Sequence, residues 1–195
     1  MRPERHTRPE YVAAFRELAA RIQATLADVP RQALPVRMYV AGGAALHFHT
    51  GSRVSADVDA VFSRRIALPE NLDVAYRDVD GAARLLYFDR QYNDTLGLMH
   101  EDAQDDSLPL SLEGVDAHVL DVRILTPLDL AVSKLGRYSM QDREDIVALA
   151  KLGLVEAEPL RCRALEALGG YVGDTARLRG TIDTAVEMVA AARRK

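Results

Sequence analysis

The feature that most constrains the fold is a change of hydrophobic period at Pro127. Before it, after one amphipathic stretch, the apolar residues fall in short runs of strand length punctuated by Gly, Pro and Asp. After it they recur every three to four residues through PLDLAVSKLGRY, QDREDIVALAKLG, EPLRCRALEALGGY and TARLRGTIDTAVEMVAAARRK. Strands gathered in one half and helices in the other predict an α+β chain: a small mixed β-sheet core with flanking helices over residues 1–125, then a C-terminal helical bundle over 126–195 packed on that core. No Gly/Ser- or Pro-rich linker separates the halves, and no internal repeat is visible.

Within the first half, Pro9 suits a first helical turn, and Tyr11, Phe15, Leu18, Ile22 and Leu26 mark one face of a helix that Pro30 and Pro35 end. VRMYVAGG reads as a buried strand entering a tight turn, AALHFHTG as a short helix stopped by Gly51, and SADVDAVFS as a second strand. VAYRDV, ARLLYFD and TLGLMH are expected to be three further strands, the first two joined by a hairpin at Asp80-Gly81. EDAQDDSLPL reads as an acidic loop and VLDVRILTP as a closing strand.

Composition removes several classes. No run approaches the ~20 apolar residues of a membrane span, and the single cysteine, Cys162, excludes an internal disulfide or a cysteine-cluster metal site. MRPERHTRPE lacks the apolar core of a signal peptide, so the protein is expected to be cytoplasmic. The net charge of -4 gives no overall field for nucleic acid. The Arg residues at both termini form a basic patch if the ends meet, or else solvated tails. Lysines are few enough that Lys134, inside an apolar helix, stands out.

Asp57 and Asp59, two residues apart on a strand, point to one face. Their oxygens would suit a hard divalent cation, Mg²⁺ or Mn²⁺, which also relieves the repulsion of two adjacent carboxylates; a solvated edge strand is the alternative. Upstream, Gly42 and Gly43 close one strand and open a helix, where backbone N–H groups and the helix dipole can hold phosphate oxygens, unless the pair is simply a turn. Together the two features describe nucleotidyl transfer. His47 and His49 flank the site but, either side of Phe48 on a short helix, offer no metal-ligand spacing.

VAGGAALHFHTGSRVSADVDAV resembles the signature of the DNA polymerase β-type nucleotidyltransferase superfamily, in which a Gly-Gly or Gly-Ser turn precedes an Asp-x-Asp strand. GGAAL followed by RVSADVD is similar to the first motif of the AbiEii and MenT-type toxin nucleotidyltransferases. DLAVSKLGRYSMQDREDIVAL resembles their second, with Lys134, Arg137, Asp142 and Asp145 in the matching places. The nearest likeness is to the small bacterial nucleotidyltransferases of the DUF6036 type.

The resemblance implies a nucleotidyltransferase core in which Asp57 and Asp59 bind Mg²⁺ or Mn²⁺ and Gly42 and Gly43 hold the phosphates of an NTP. A third carboxylate is expected on a neighbouring strand: Asp94 is preferred, and Asp102 and Asp121 also qualify. Arg53 would brace the carboxylate strand or reach phosphate, or form a salt bridge, and Ser55 shares the aspartates' strand face by parity and would orient a carboxylate, or is a plain strand residue. Lys134 would lie near the nucleotide, or else snorkel to the surface. Asp142 is favoured for function and Asp145 for packing or capping. The implied activity moves an NMP from an NTP to an acceptor hydroxyl, a tRNA 3′ end or a protein side chain, as the toxin of a toxin–antitoxin pair with a cognate antitoxin as partner. A small-molecule transferase of the antibiotic-modifying kind, a degenerate nucleotide- or partner-binding module and a purely structural interaction protein are the rival readings. The convergence of three carboxylates separates the catalytic from the degenerate one.

Overall fold

The structure is a computed structural model that describes residues 7–93 and 97–193. It divides into two compact units. The first comprises residues 1–92 and 107–124, the second residues 93–106 and 125–195.

The first unit opens with helix α1 (Pro9–Ala24), whose Pro9 stands in the first turn and whose Tyr11, Ala14, Phe15, Leu18, Ala19 and Ile22 form the buried stripe. It packs on two paired strands, β4 (Asp73–Arg77) and β5 (Ala83–Phe88). These form the expected hairpin: Gly81 adopts φ 77°, a left-handed conformation that suits glycine, and the Asp78 N–H closes the turn on the Ala82 carbonyl. Strand β1 (Val36–Val40) runs directly into α2 (Gly42–Thr50), which is buried from Gly43 to His49 and ends on Gly51 at φ 64°. An all-round apolar helix of this kind sits inside the unit, not on its surface.

The predicted SADVDAVFS strand is divided. β2 (Asp57–Val58) pairs in parallel with β5, whereas β3 (Ala60–Phe62) pairs antiparallel with β1, and Asp59 is the single residue between them. The expected single mixed sheet is therefore two. One has the order β3-β1-β7-β6, with β6 (Leu108–Pro109) and β7 (Leu120–Ile124); the other has the order β2-β5-β4. Each is mixed, through the parallel pairs β1–β7 and β2–β5. Two departures follow from local chemistry. β6 is a two-residue edge piece inside the expected acidic loop, where Pro109 fits because an edge strand leaves its missing donor on the open side. The third strand expected at TLGLMH is not formed by Gly97–His100, and Thr95 and Leu96 lie outside the described residues.

The second unit is helical: α3 (Pro127–Leu135), α4 (Met140–Lys151), α5 (Ala157–Ala167) and α6 (Thr175–Ala192). Its starts are capped as the sequence chemistry demands. The Thr126 hydroxyl accepts from Asp129 N–H, Ser139 and Asp142 form a reciprocal capping box, and Asp174 accepts from Arg177 N–H. α3 packs against α4, α5 and α6, and α6 against α4 and α5, around Leu130, Ile146, Leu149, Leu160, Leu178 and Ile182. No described helix is long and apolar enough to cross a membrane.

Candidate functional site

The Gly-Gly turn and the aspartate strand meet within the first unit. Gly42 has φ 56°, and a Cβ built on it would lie 1.8 Å from Asp59 Oδ2. A Cβ on Gly43 would lie 2.5 Å from Ser55 Cβ and 3.2 Å from Arg53 Nη1. Both glycines are therefore required by close approach, and the side chains that fill the space are the ones the sequence singled out. The Ala41 N–H donates to the Asp59 carbonyl at 2.8 Å, which fixes the aspartate at the mouth of the turn. The Ser55 hydroxyl donates to Asp57 Oδ1 from the segment that precedes β2, not from the strand itself. The N-cap residue of α2, Ala41, offers no side-chain cap and no acidic residue stands in the first turn, so the positive end of the helix lies where the Asp59 carboxylate approaches Gly42.

His47 has a role that periodicity did not suggest. It is fully buried, its Nε2 accepts from the Arg8 N–H at 3.0 Å, and its Nδ1 lies 2.9 Å from the Arg53 carbonyl. Accepting at Nε2 assigns the proton to Nδ1, which donates to Arg53. The imidazole thus ties the loop carrying Arg53 and Ser55 to the start of α1. The Tyr11 ring meets it edge-on at 4.7 Å. The Tyr11 hydroxyl is buried without a hydrogen-bond partner, and burial, with Tyr76 and the Asp57 and Asp59 charges adding to it, drives its pKa far above the usual phenol range.

Two of the three candidates for a third carboxylate, Asp102 and Asp121, are among the described residues. Asp94 lies outside the described residues. Asp121 faces Arg37 and Arg123, at 3.8 and 3.3 Å, beside the start of β1, whereas Asp59 bonds at the end of that strand. Asp102 belongs to the second unit and is exposed beside His100. One carboxylate that the sequence reading did not weigh, Asp89, stands at the end of β5 where that strand meets β2. The parallel register of β2 on β5 pairs Asp57 with Tyr87 and Val58 with Phe88, and the Asp89 N–H to Val58 carbonyl bond of 3.0 Å carries the ladder on, setting Asp89 beside Asp59. Its own Oδ1 accepts from Gln91 N–H at 2.8 Å. Among the described residues no three His, Cys, Asp or Glu side chains form a group that could hold a metal. Two carboxylates remain, with a hydroxyl beside them and a glycine turn free of Cβ atoms. This all-oxygen donor set fits Mg²⁺ or Mn²⁺, which bind through one or two carboxylates and complete their shell with substrate phosphates and water.

Lys134, Asp142 and Asp145 form a buried cluster in the second unit. Lys134 Nζ donates to Asp145 Oδ2 at 2.6 Å and lies 3.9 Å from Asp142 Oδ1, with 7 % of the lysine side chain exposed. The lysine does not snorkel. Arg137 grips Asp142 through two bonds of 2.8 Å, and the Ser139 hydroxyl and N–H donate to the same carboxylate. Burial alone would raise the Asp142 pKa, and the bonds from Arg137 and Ser139 outweigh it and hold it at about 2. Capping, expected of Asp145, is performed by Asp142. Of the basic termini, Arg8 is paired with Asp78 and Arg193 with Glu156; Arg2, Arg5, Arg194 and Lys195 lie outside the described residues.

None of the curated proteins matches the chain. The family model described as "nucleotidyltransferase of unknown function (DUF6036)" matches residues 17–172. That span contains the glycine turn, the paired aspartates and the Lys134 cluster, and the chain belongs to this nucleotidyltransferase family.

Proposed function

We propose that the protein transfers an NMP from an NTP to an acceptor hydroxyl, with Asp57 and Asp59 as the metal-binding pair. The observation that carries the reading is the packing of the Asp59 carboxylate over Gly42, which brings one of the two acid groups to the start of α2. Asp57 and Asp59 would hold Mg²⁺ or Mn²⁺, which when bound neutralises phosphate charge and lowers the pKa of the acceptor hydroxyl. The first-turn N–H groups of Gly42 and Gly43 bind the departing phosphates. Ser55 fixes the Asp57 rotamer, and Arg53, held through its carbonyl by His47, braces the loop or reaches a phosphate. The acceptor oxygen forms a bond to the α-phosphorus as the bond to the β-phosphate oxygen breaks, and pyrophosphate leaves with that electron pair. The acceptor proton passes to the third carboxylate, for which Asp89 and Asp94 are the candidates. Lys134 and Asp142, which the resemblance places near the nucleotide, are bound within the second unit to Asp145 and to Arg137 and Ser139, and no step is assigned to them. A tRNA 3′ end or protein hydroxyl as acceptor, and action as a toxin held by an antitoxin, extend the reading by resemblance.

The test uses NTPs labelled at the α- or the γ-phosphate with Mg²⁺ or Mn²⁺, total RNA and the protein itself. Nucleotidyl transfer leaves α-label on the acceptor and γ-label in pyrophosphate; γ-label on the acceptor would mean phosphoryl transfer and refute the proposal. That no three carboxylates converge among the described residues favours a second reading, a nucleotide-binding module without catalysis. It predicts NTP binding by calorimetry with no label transferred.

A further inference from the structure

The β2-β5-β4 sheet has one covered face and one open face. Val58, Val74, Leu86 and Phe88 are buried on the first, while Leu85 and Tyr87 on the second are 48 % and 38 % exposed. Residues in register on neighbouring strands share a face. Tyr87 is in register with Asp57 on one side and Asp73 on the other, Leu85 with Ala75, and Ala83 with Arg77. The open face therefore carries, in order along β5, the level of the metal-binding aspartate with Tyr87, then Leu85, then Arg77.

We propose that this strip is the acceptor platform, and that the acceptor is the 3′ end of a single-stranded nucleic acid whose terminal base stacks on the Tyr87 ring. The proposal rests on the nucleotidyl-transfer reading and deepens it. Three observations select this occupant. Cross-strand neighbours have Cβ atoms about 4.5–5.5 Å apart, so a base lying on Tyr87 is within one sugar of Asp57, and the hydroxyl of that sugar is the one that reacts. At the Tyr87 level β5 is paired on both edges, with Asp57 of β2 and Asp73 of β4, so an extended peptide cannot add there as a strand; what remains at that level is face-on stacking, which flat rings do. Arg77 donates to the Gly81 carbonyl and makes no ion pair among the described residues. It lies four strand residues from the Tyr87 level, about 13 Å along the sheet, where a preceding phosphate of the same strand can reach it. Asp73, across the ring from Asp57, repels phosphate from that side and accepts from an exocyclic amino group, which favours a terminal base that carries one.

Two readouts test this: fluorescence anisotropy of a short single-stranded RNA with a 5′ fluorophore and a free 3′ hydroxyl, and the KM for the same RNA in α-label transfer. Base–aromatic stacking of the usual strength corresponds to a loss of about tenfold or more in RNA affinity for Tyr87→Ala. NTP affinity by calorimetry is expected to hold. Tyr87→Phe should restore RNA binding and Tyr87→Leu should not, which separates a ring platform from a merely apolar one; Arg77→Ala should weaken RNA binding and flatten its salt dependence. Wild-type RNA binding and KM in Tyr87→Ala, or equal rescue by Leu and Phe, would overturn the platform. RNA that binds through Tyr87 while no variant or wild type transfers label would leave the platform standing and count against the transferase reading instead.

Discussion

Replacing Gly42 by alanine separates the site's geometry from general stability. Gly42 sits at φ 56°, where an L-residue costs about 1–2 kcal/mol. The added methyl would stand 1.8 Å from Asp59 Oδ2 and 2.8 Å from its Cγ, so the carboxylate must move by well over an ångström to reach ordinary van der Waals distance. A displacement of that size at reacting groups lowers rates by about 100-fold. Gly42→Ala should therefore unfold in urea with a loss of only about 1–2 kcal/mol, the left-handed penalty, while its rate of α-label transfer falls about 100-fold or more. Gly43→Ala, with no positive φ but a methyl 2.5 Å from Ser55 Cβ, should lose less stability and still impair transfer through Ser55 and Asp57. A Gly42→Ala protein that transfers at the wild-type rate would refute the claim that Asp59 works from the position packed on the turn.

Three further outcomes follow from buried polar groups. Tyr11→Phe removes a buried hydroxyl without a partner and should raise stability by about 1 kcal/mol in urea melts; destabilisation would mean that the hydroxyl is satisfied. Lys134→Met removes the cation bonded to the buried Asp145 carboxylate and should cost about 3–5 kcal/mol, with the Lys134→Met/Asp145→Leu pair less harmful than the single change; additive losses in that cycle would deny the coupling. The Asp142 pKa is depressed from 3.8 to about 2, so its contribution is present above pH ~4 and is lost as pH falls toward 2. A shift of that size corresponds to about 2–3 kcal/mol, and Asp142→Asn should flatten the stability–pH curve in that window.

The parts of the fold that depend on one segment at a time were legible in the sequence. The α1 stripe, the Gly51 stop and the Asp80-Gly81 hairpin each follow from residues within a turn or two of one another. That Ser55 could orient Asp57 was open in the sequence, although Ser55 precedes β2 instead of lying on it, and the approach of Asp59 to the Gly-Gly turn is a short-loop effect. Non-local pairing was not legible. Nothing in DVDAVF says that Asp59 divides it between two sheets, and β2 pairs in parallel with β5 although β3 and β4 separate them in sequence. Asp89 was overlooked for that reason: at the end of ARLLYFD it looked like the tail of a hairpin strand, and only the register with β2 sets it beside Asp59. His47 was passed over because it was judged as a metal ligand, whereas its ring nitrogens bind two backbone groups distant in sequence.

The most direct test of the central claim is the rate of α-label transfer by Asp57→Asn/Asp59→Asn beside the wild type, with circular dichroism and urea melts to verify folding. Asparagine keeps the size of both side chains and removes the charge that binds the cation. A folded double variant without detectable transfer, beside an active wild type, is the result the account predicts. Undiminished transfer by that variant would contradict it.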